Sequence, residues 1–189
     1  MGKKNEQDRL TAYHEAAHVV ARYRFQIGEV TYSTIKSGTH GYEASVGYTE
    51  AAWEPEGDAK LTKEETIAAY KEMERTPEYI ALTLAGPAAE YVYLCWPDSQ
   101  YSDFLDQYIE TQPKSGPPPD PAQAYRLLKT DDEEETGEKL DEAWRIAIGF
   151  VKAEWETINK VARLLLEKKT VQGEELYAQI MAIDEKKEA

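Results

Sequence analysis

The sequence predicts a mainly α protein of the α+β class, with a small antiparallel β unit and no parallel βαβ core. Three observations carry this. Leu140, Trp144, Ala147, Val151, Trp155, Ile158, Ala162 and Leu165 recur at spacings of four and three, the period of a buried helical face. Thr76-Pro77 and Asp120-Pro121 each pair a capping side chain with a proline preset for the first helical turn. Period-two alternation is confined to residues 29–50.

In chain order, a first helix is expected from Asp8 or Thr11, both good N-caps, to about Phe25, with Leu10, Tyr13, Ala17 and Val20 facing inward. Strands over residues 29–36 and 44–50 should pair antiparallel across a turn at Gly38, His40 and Gly41. A helix over residues 63–75 turns Ile67 and Tyr70 inward. The helix opening at Pro77 should end before Pro97, and Pro87, which lacks an N–H, predicts a kink or break at Gly86. Residues 98–111 are ambiguous between loop and short helix. A helix from Asp120 to about Lys129 precedes the long stripe, and a last short helix covers about residues 174–184.

A chain of 189 residues with 41% hydrophobic side chains supports one packed core and is short for two, so one domain over residues 1–189 is expected. Lys and Arg number 22 against 36 Asp and Glu, a net charge of −14, which argues against nucleic acid and anionic membrane surfaces as partners. No stretch approaches the roughly 20 apolar residues that span a bilayer. The opening MGKKNEQDRL is polar and has no apolar signal core. The single cysteine, Cys95, excludes an internal disulfide and reads as a small packed side chain. Together these predict a cytoplasmic protein.

The chemistry lies in His14-Glu15-Ala16-Ala17-His18, an H-E-x-x-H motif. Residues four apart share a helix face, so both imidazoles can reach one zinc ion, while Glu15 is offset and can act as general base on a water the metal polarises. A catalytic site needs a third protein ligand. Arg24 stands where the longer three-histidine motif requires its last histidine, so the third ligand must be His40 or a carboxylate. Spacing alone does not choose among Glu43, Glu90, Asp103, Asp106 and Asp120.

Residues 11–20, TAYHEAAHVV, resemble the peptidase segment of the FtsH-type zinc proteases, the membrane AAA+ proteases of bacteria and organelles. Four further stretches are similar to that family in the same order. Ser45-Val46-Gly47-Tyr48-Thr49 resembles its L-G-Y-T strand, and residues 84–90, LAGPAAE, resemble its L-G-G-R-A-A-E helix. Residues 115–120, with Ala124 beyond, resemble its T-G-A-x-N-D segment, and residues 162–176 resemble its closing helices. The resemblance covers about residues 8–183 and implies a helical peptidase domain binding one zinc ion. It assigns the third-ligand role to Asp120, with Glu90 as runner-up ligand or as a partner orienting a histidine. It also implies that Ser45, Val46, Gly47 and Tyr48 present backbone to a peptide substrate by strand addition.

The departures from the family are specific. Ala17 replaces a glycine, Pro87 replaces an arginine, and residues 97–114 form an extra segment. No G-x-x-x-x-G-K-[ST] phosphate loop occurs, so ATP-independent action is expected of this chain. The leading expectation is a zinc endopeptidase acting on unfolded or loosely structured proteins. The alternatives are a non-catalytic or regulatory binding module that retains the fold, its acidic surface recruiting a basic partner, and a selective metalloprotease like the small H-E-x-x-H proteins that cleave repressors. Homo-oligomerisation and an ATPase partner in trans are open.

Overall fold

The computed structural model describes residues 3–36, 45–49, 76–97, 100, 103–104 and 120–188. The expected helix at residues 63–75, the turn at residues 38–41 and nearly all of the extra segment lie outside them. Among the described residues there are six helices and one small antiparallel sheet. The mainly α class is thus as expected.

Helix α1 (Lys3–Phe25) starts earlier than its two candidate caps and ends at the residue predicted. Its buried surface is wider than one stripe: Ala12, Ala16, Ala17, Val19, Val20 and Ala21 are all shut off from solvent. A helix buried on several sides cannot show a clean amphipathic period. Strand β1 (Glu29–Thr34) pairs antiparallel with β2 (Ser45–Thr49), with Glu29 opposite Thr49 and Thr34 opposite Ser45. The register shifts between Val30 and Tyr32, so Thr31 is the additional residue of a bulge.

Helix α2 (Pro77–Tyr93) begins as the sequence predicts, Thr76 Oγ1 accepting from the Tyr79 N–H at 3.3 Å with Pro77 in the first turn. Of the kink or break expected at Gly86, the break does not occur: α2 runs unbroken through Pro87. Residues 80–89 are buried throughout, and this packing holds the helix across the hydrogen bond that proline removes. Small side chains on both elements, Ala12, Ala16 and Ala17 on α1 and Ala81, Ala85, Ala88 and Ala89 on α2, permit close approach of the two backbones.

Helix α3 (Asp120–Leu128) buries Pro121 and Ala124. The acidic run at residues 131–135 opens the next helix, α4 (Glu133–Ala153). Asp132 caps the N–H groups of Glu134 and Glu135, and three glutamates occupy the positive end of the helix dipole. The long apolar stripe is shared between α4 and α5 (Trp155–Lys168), which are separated only by Glu154. Trp144, Ala147, Val151, Ile158, Ala162 and Leu165 are buried, as a core stripe requires, and Trp144 stacks on Phe104 and meets Tyr91 edge-to-face.

Lys169, at φ 65°, turns the chain into β3 (Thr170–Gln172), a strand the sequence does not announce. It pairs antiparallel with β1, Ser33 opposite Val171, giving the order β2-β1-β3. Helix α6 (Gly173–Glu188) follows at once and is longer than expected. Arg24 at the end of α1 ties these parts together, reaching Glu154 at 3.0 Å and Asp184 at 2.6 Å.

Candidate metal centre

Helices α1 and α2 set the centre through two hydrogen bonds. Nδ1 of His14 donates to Oε1 of Glu90 at 2.7 Å, and Nδ1 of His18 donates to the carbonyl of Leu82 at 2.9 Å. A carbonyl only accepts, so the His18 proton is on Nδ1, and the Glu90 carboxylate fixes the same tautomer in His14. In the neutral rings both Nε2 atoms then carry free lone pairs. These lone pairs meet at one place, with Nε2 of His14 and Nε2 of His18 at 3.1 Å from each other.

Asp120, at the first residue of α3, brings Oδ2 to 3.1 Å from His14 Nε2 and 3.2 Å from His18 Nε2. Three electron-pair donors therefore form a near-equilateral triangle. Bonds of about 2.0–2.1 Å in a tetrahedral zinc site separate neighbouring ligand atoms by roughly 3.3 Å. The donor set matches that spacing and chemistry, and among the described residues these three form the one cluster suited to a metal ion.

The electrostatics agree. Burial alone lowers the proton affinity of His14, but its hydrogen bonds to Asp120 and Glu90 outweigh burial and hold its pKa well above 6.5. Burial raises the Asp120 carboxyl, and the two histidines overcome it, holding Asp120 far below the usual carboxylate range. A site that binds a proton this firmly has concentrated negative potential, which also attracts a cation.

Glu15 lies between the histidines in sequence and is only 4% exposed. Its Oε2 is buried without a hydrogen-bond partner in the protein. Desolvation pushes its pKa up against the opposing pull of His14 and His18. A buried unpaired carboxylate oxygen costs roughly 1–3 kcal/mol or more, so it is a poor structural choice and a suitable proton acceptor.

His14, Glu15, His18, Glu90 and Asp120 thus come together from positions far apart in the chain. Glu90 bonds the far side of His14 and is outside the donor triangle. Asp103 is exposed and outside it too, while His40, Glu43 and Asp106 lie outside the described residues. Ser45, Val46, Gly47 and Tyr48 form β2, at the edge of the described sheet, where one side of the strand has no neighbouring strand among the described residues. Sequence reasoning missed Gly86. A Cβ built there falls 2.5 Å from Nε2 of His14 and 2.5 Å from Nε2 of His18. The available signal was a lone glycine in an alanine-rich helix, which often marks close packing.

No known protein-family model matches the chain, and no curated protein matches it. What the chain can do is therefore a question of donor geometry. No helix among the described residues is long and apolar enough to cross a membrane.

Proposed function

We propose that the chain is a zinc-dependent endopeptidase with an FtsH-like peptidase fold, hydrolysing peptide bonds in unfolded or loosely structured proteins. The observation that supports this best is the convergence of His14 Nε2 and His18 Nε2 with Asp120 Oδ2 within 3.2 Å, the two histidines lying on the helix that also buries Glu15 with its Oε2 unpaired. No phosphate loop occurs in the sequence, and none of the residues proposed for this reaction calls on ATP.

A divalent ion, when bound, supplies Lewis acidity to a carbonyl oxygen and lowers the pKa of water toward about 7. His14, His18 and Asp120 would hold the ion, three protein ligands where a tetrahedral catalytic site takes a fourth from water or substrate. Leu82 and Glu90 keep the two imidazoles in the tautomer that can bind. Glu15 takes the proton at Oε2 and returns it to the leaving amine, and its raised pKa brings it closer to the working pH of a general base. Strand β2 offers its edge to an extended peptide. Glu15 separates this reading from a binding module, since a fold kept only for binding gains nothing from an unpaired buried carboxylate.

The test uses the purified chain, zinc and a denatured casein. Wild type should hold about one zinc and cleave the substrate, and a chelator should stop it. Glu15→Gln should keep its zinc and lose roughly 10²–10⁴ in rate. A zinc-loaded wild type inert on diverse unfolded substrates would favour the binding module. Hydrolysis indifferent to both chelator and Glu15→Gln would assign the chemistry to another site or a contaminant.

A further inference from the structure

Leu82, Gly86 and Glu90 are spaced four apart and lie on one stripe of α2. Leu82 holds His18 and Glu90 holds His14, so α2 runs antiparallel to α1 here, and Gly86 falls midway between the two anchoring bonds. Glycine weakens a helix interior relative to alanine, and Gly86 has no unusual φ that would require it. The reason for it is space. A Cβ at position 86 would lie 2.5 Å from each Nε2 and 2.6 Å from Cε1 of His14, all of them atoms at the donor ends of the rings. Both rings are fixed to α2 itself, so neither can retreat without breaking its bond to Leu82 or Glu90. Gly137 and Gly149, also within helices, have nothing within 4 Å of a built Cβ.

We infer that Gly86 is a positioning residue of the metal centre, whose missing side chain keeps the space beside both Nε2 atoms open and so governs admission of the ion to His14, His18 and Asp120. This rests on the metal-binding reading above. Gly86→Ala then improves helix propensity while closing the centre, two effects of opposite sign that separate its role from ordinary packing.

The experiment measures zinc affinity by competition with a chromogenic chelator for wild type, Gly86→Ala and Gly149→Ala, and Tm of the metal-free proteins. Wild type and Gly149→Ala should bind alike. Gly86→Ala should bind more weakly by more than the roughly 10–100-fold that loss of an outer hydrogen bond costs. In the metal-free parent, Gly86→Ala should lower Tm. In a His14→Ala/His18→Ala background the clash is gone, and the same change should leave Tm unchanged or raise it by about 2–4 °C. This comparison decides the matter even if Gly86→Ala alone folds poorly. Equal zinc affinity in Gly86→Ala and wild type would overturn the inference and leave the metal centre standing, as would an equal loss of Tm in both backgrounds. A wild type that takes no zinc would overturn both.

Discussion

Nδ1 of His14 donates to Oε1 of Glu90 across 2.7 Å, and this bond leaves the other nitrogen of the ring facing His18 and Asp120 with its lone pair. Glu90 therefore acts on the centre through His14. Glu90→Ala should release the ring and its tautomer and weaken zinc binding by about 10–100-fold without abolishing it. Glu90→Gln keeps an accepting oxygen and should lose less. Chelator competition measures both, and complete loss of zinc in Glu90→Ala would make Glu90 a ligand.

Asp120 supplies the third donor, at 3.1 and 3.2 Å from the two ring nitrogens. Asp120→Ala leaves only two imidazoles and should reduce zinc content far more than Glu90→Ala does. His14→Ala and His18→Ala should fall with Asp120→Ala, because each removes one ligand. Metal analysis after dialysis gives the ranking. Zinc retained by Asp120→Ala but lost from Glu90→Ala would reverse the assignment.

How much of this was legible depends on sequence distance. His14, Glu15 and His18 could be read because one helical turn fixes their geometry. Asp120 cannot be chosen from spacing, since its place depends on how α3 packs against α2 and α4, and the choice among carboxylates comes from resemblance. Spacing leaves Glu90 open between ligand and orienting partner, because its role turns on which ring nitrogen of His14 it meets. Pro87 suggests a kinked or broken helix, and the break is absent because local propensity ignores the burial around it. Strand β3 has only three residues, too few for a period to show, and exists because β1 offers it an edge. The stripe from Leu140 to Leu165 announces helix, and burial at all its positions but the half-buried Leu140 and Trp155, and is silent on the interruption at Glu154, where Arg24 binds.

The Arg24–Asp184 pair predicts a pH dependence of stability. The hydrogen bond from Arg24 lowers the Asp184 pKa below 3.8 and outweighs the opposing effect of burial. A depressed carboxylate contributes stability that is fully present above its unfolded pKa and is lost as pH falls through its folded value. The Tm difference between wild type and Asp184→Asn should therefore be constant from pH 5 to 7, as an order-of-magnitude range, and shrink below about pH 4. Comparing the two proteins isolates this group from the other carboxylates that titrate there. A difference unchanged down to about pH 2 would show that Arg24 does not stabilise the charged form.

Gly173 begins α6 directly after β3, and a Cβ there would lie 1.6 Å from the carbonyl oxygen of Val30 and 2.8 Å from its carbon. Both are backbone atoms of the central strand, which cannot swing aside as a flexible side chain can. Gly173→Ala must push α6 away from β1. That displacement threatens the bond from the Val30 N–H to the Tyr177 hydroxyl at 3.0 Å and the burial of Leu176 and Ile180. Overpacking of this kind costs about 1–3 kcal/mol and more where backbone must move, and a protein of this size loses about 2–4 °C per kcal/mol. A fall in Tm of roughly 6–12 °C is the expected outcome for a cost near 3 kcal/mol. Zinc content at a temperature where the variant remains folded should be normal, since α6 supplies none of the three donors. Gly149→Ala, measured beside it, should gain stability by about 0.5–1 kcal/mol because its Cβ meets nothing within 4 Å. If both alanine variants shifted Tm alike, the close approach of α6 to β1 would be wrong.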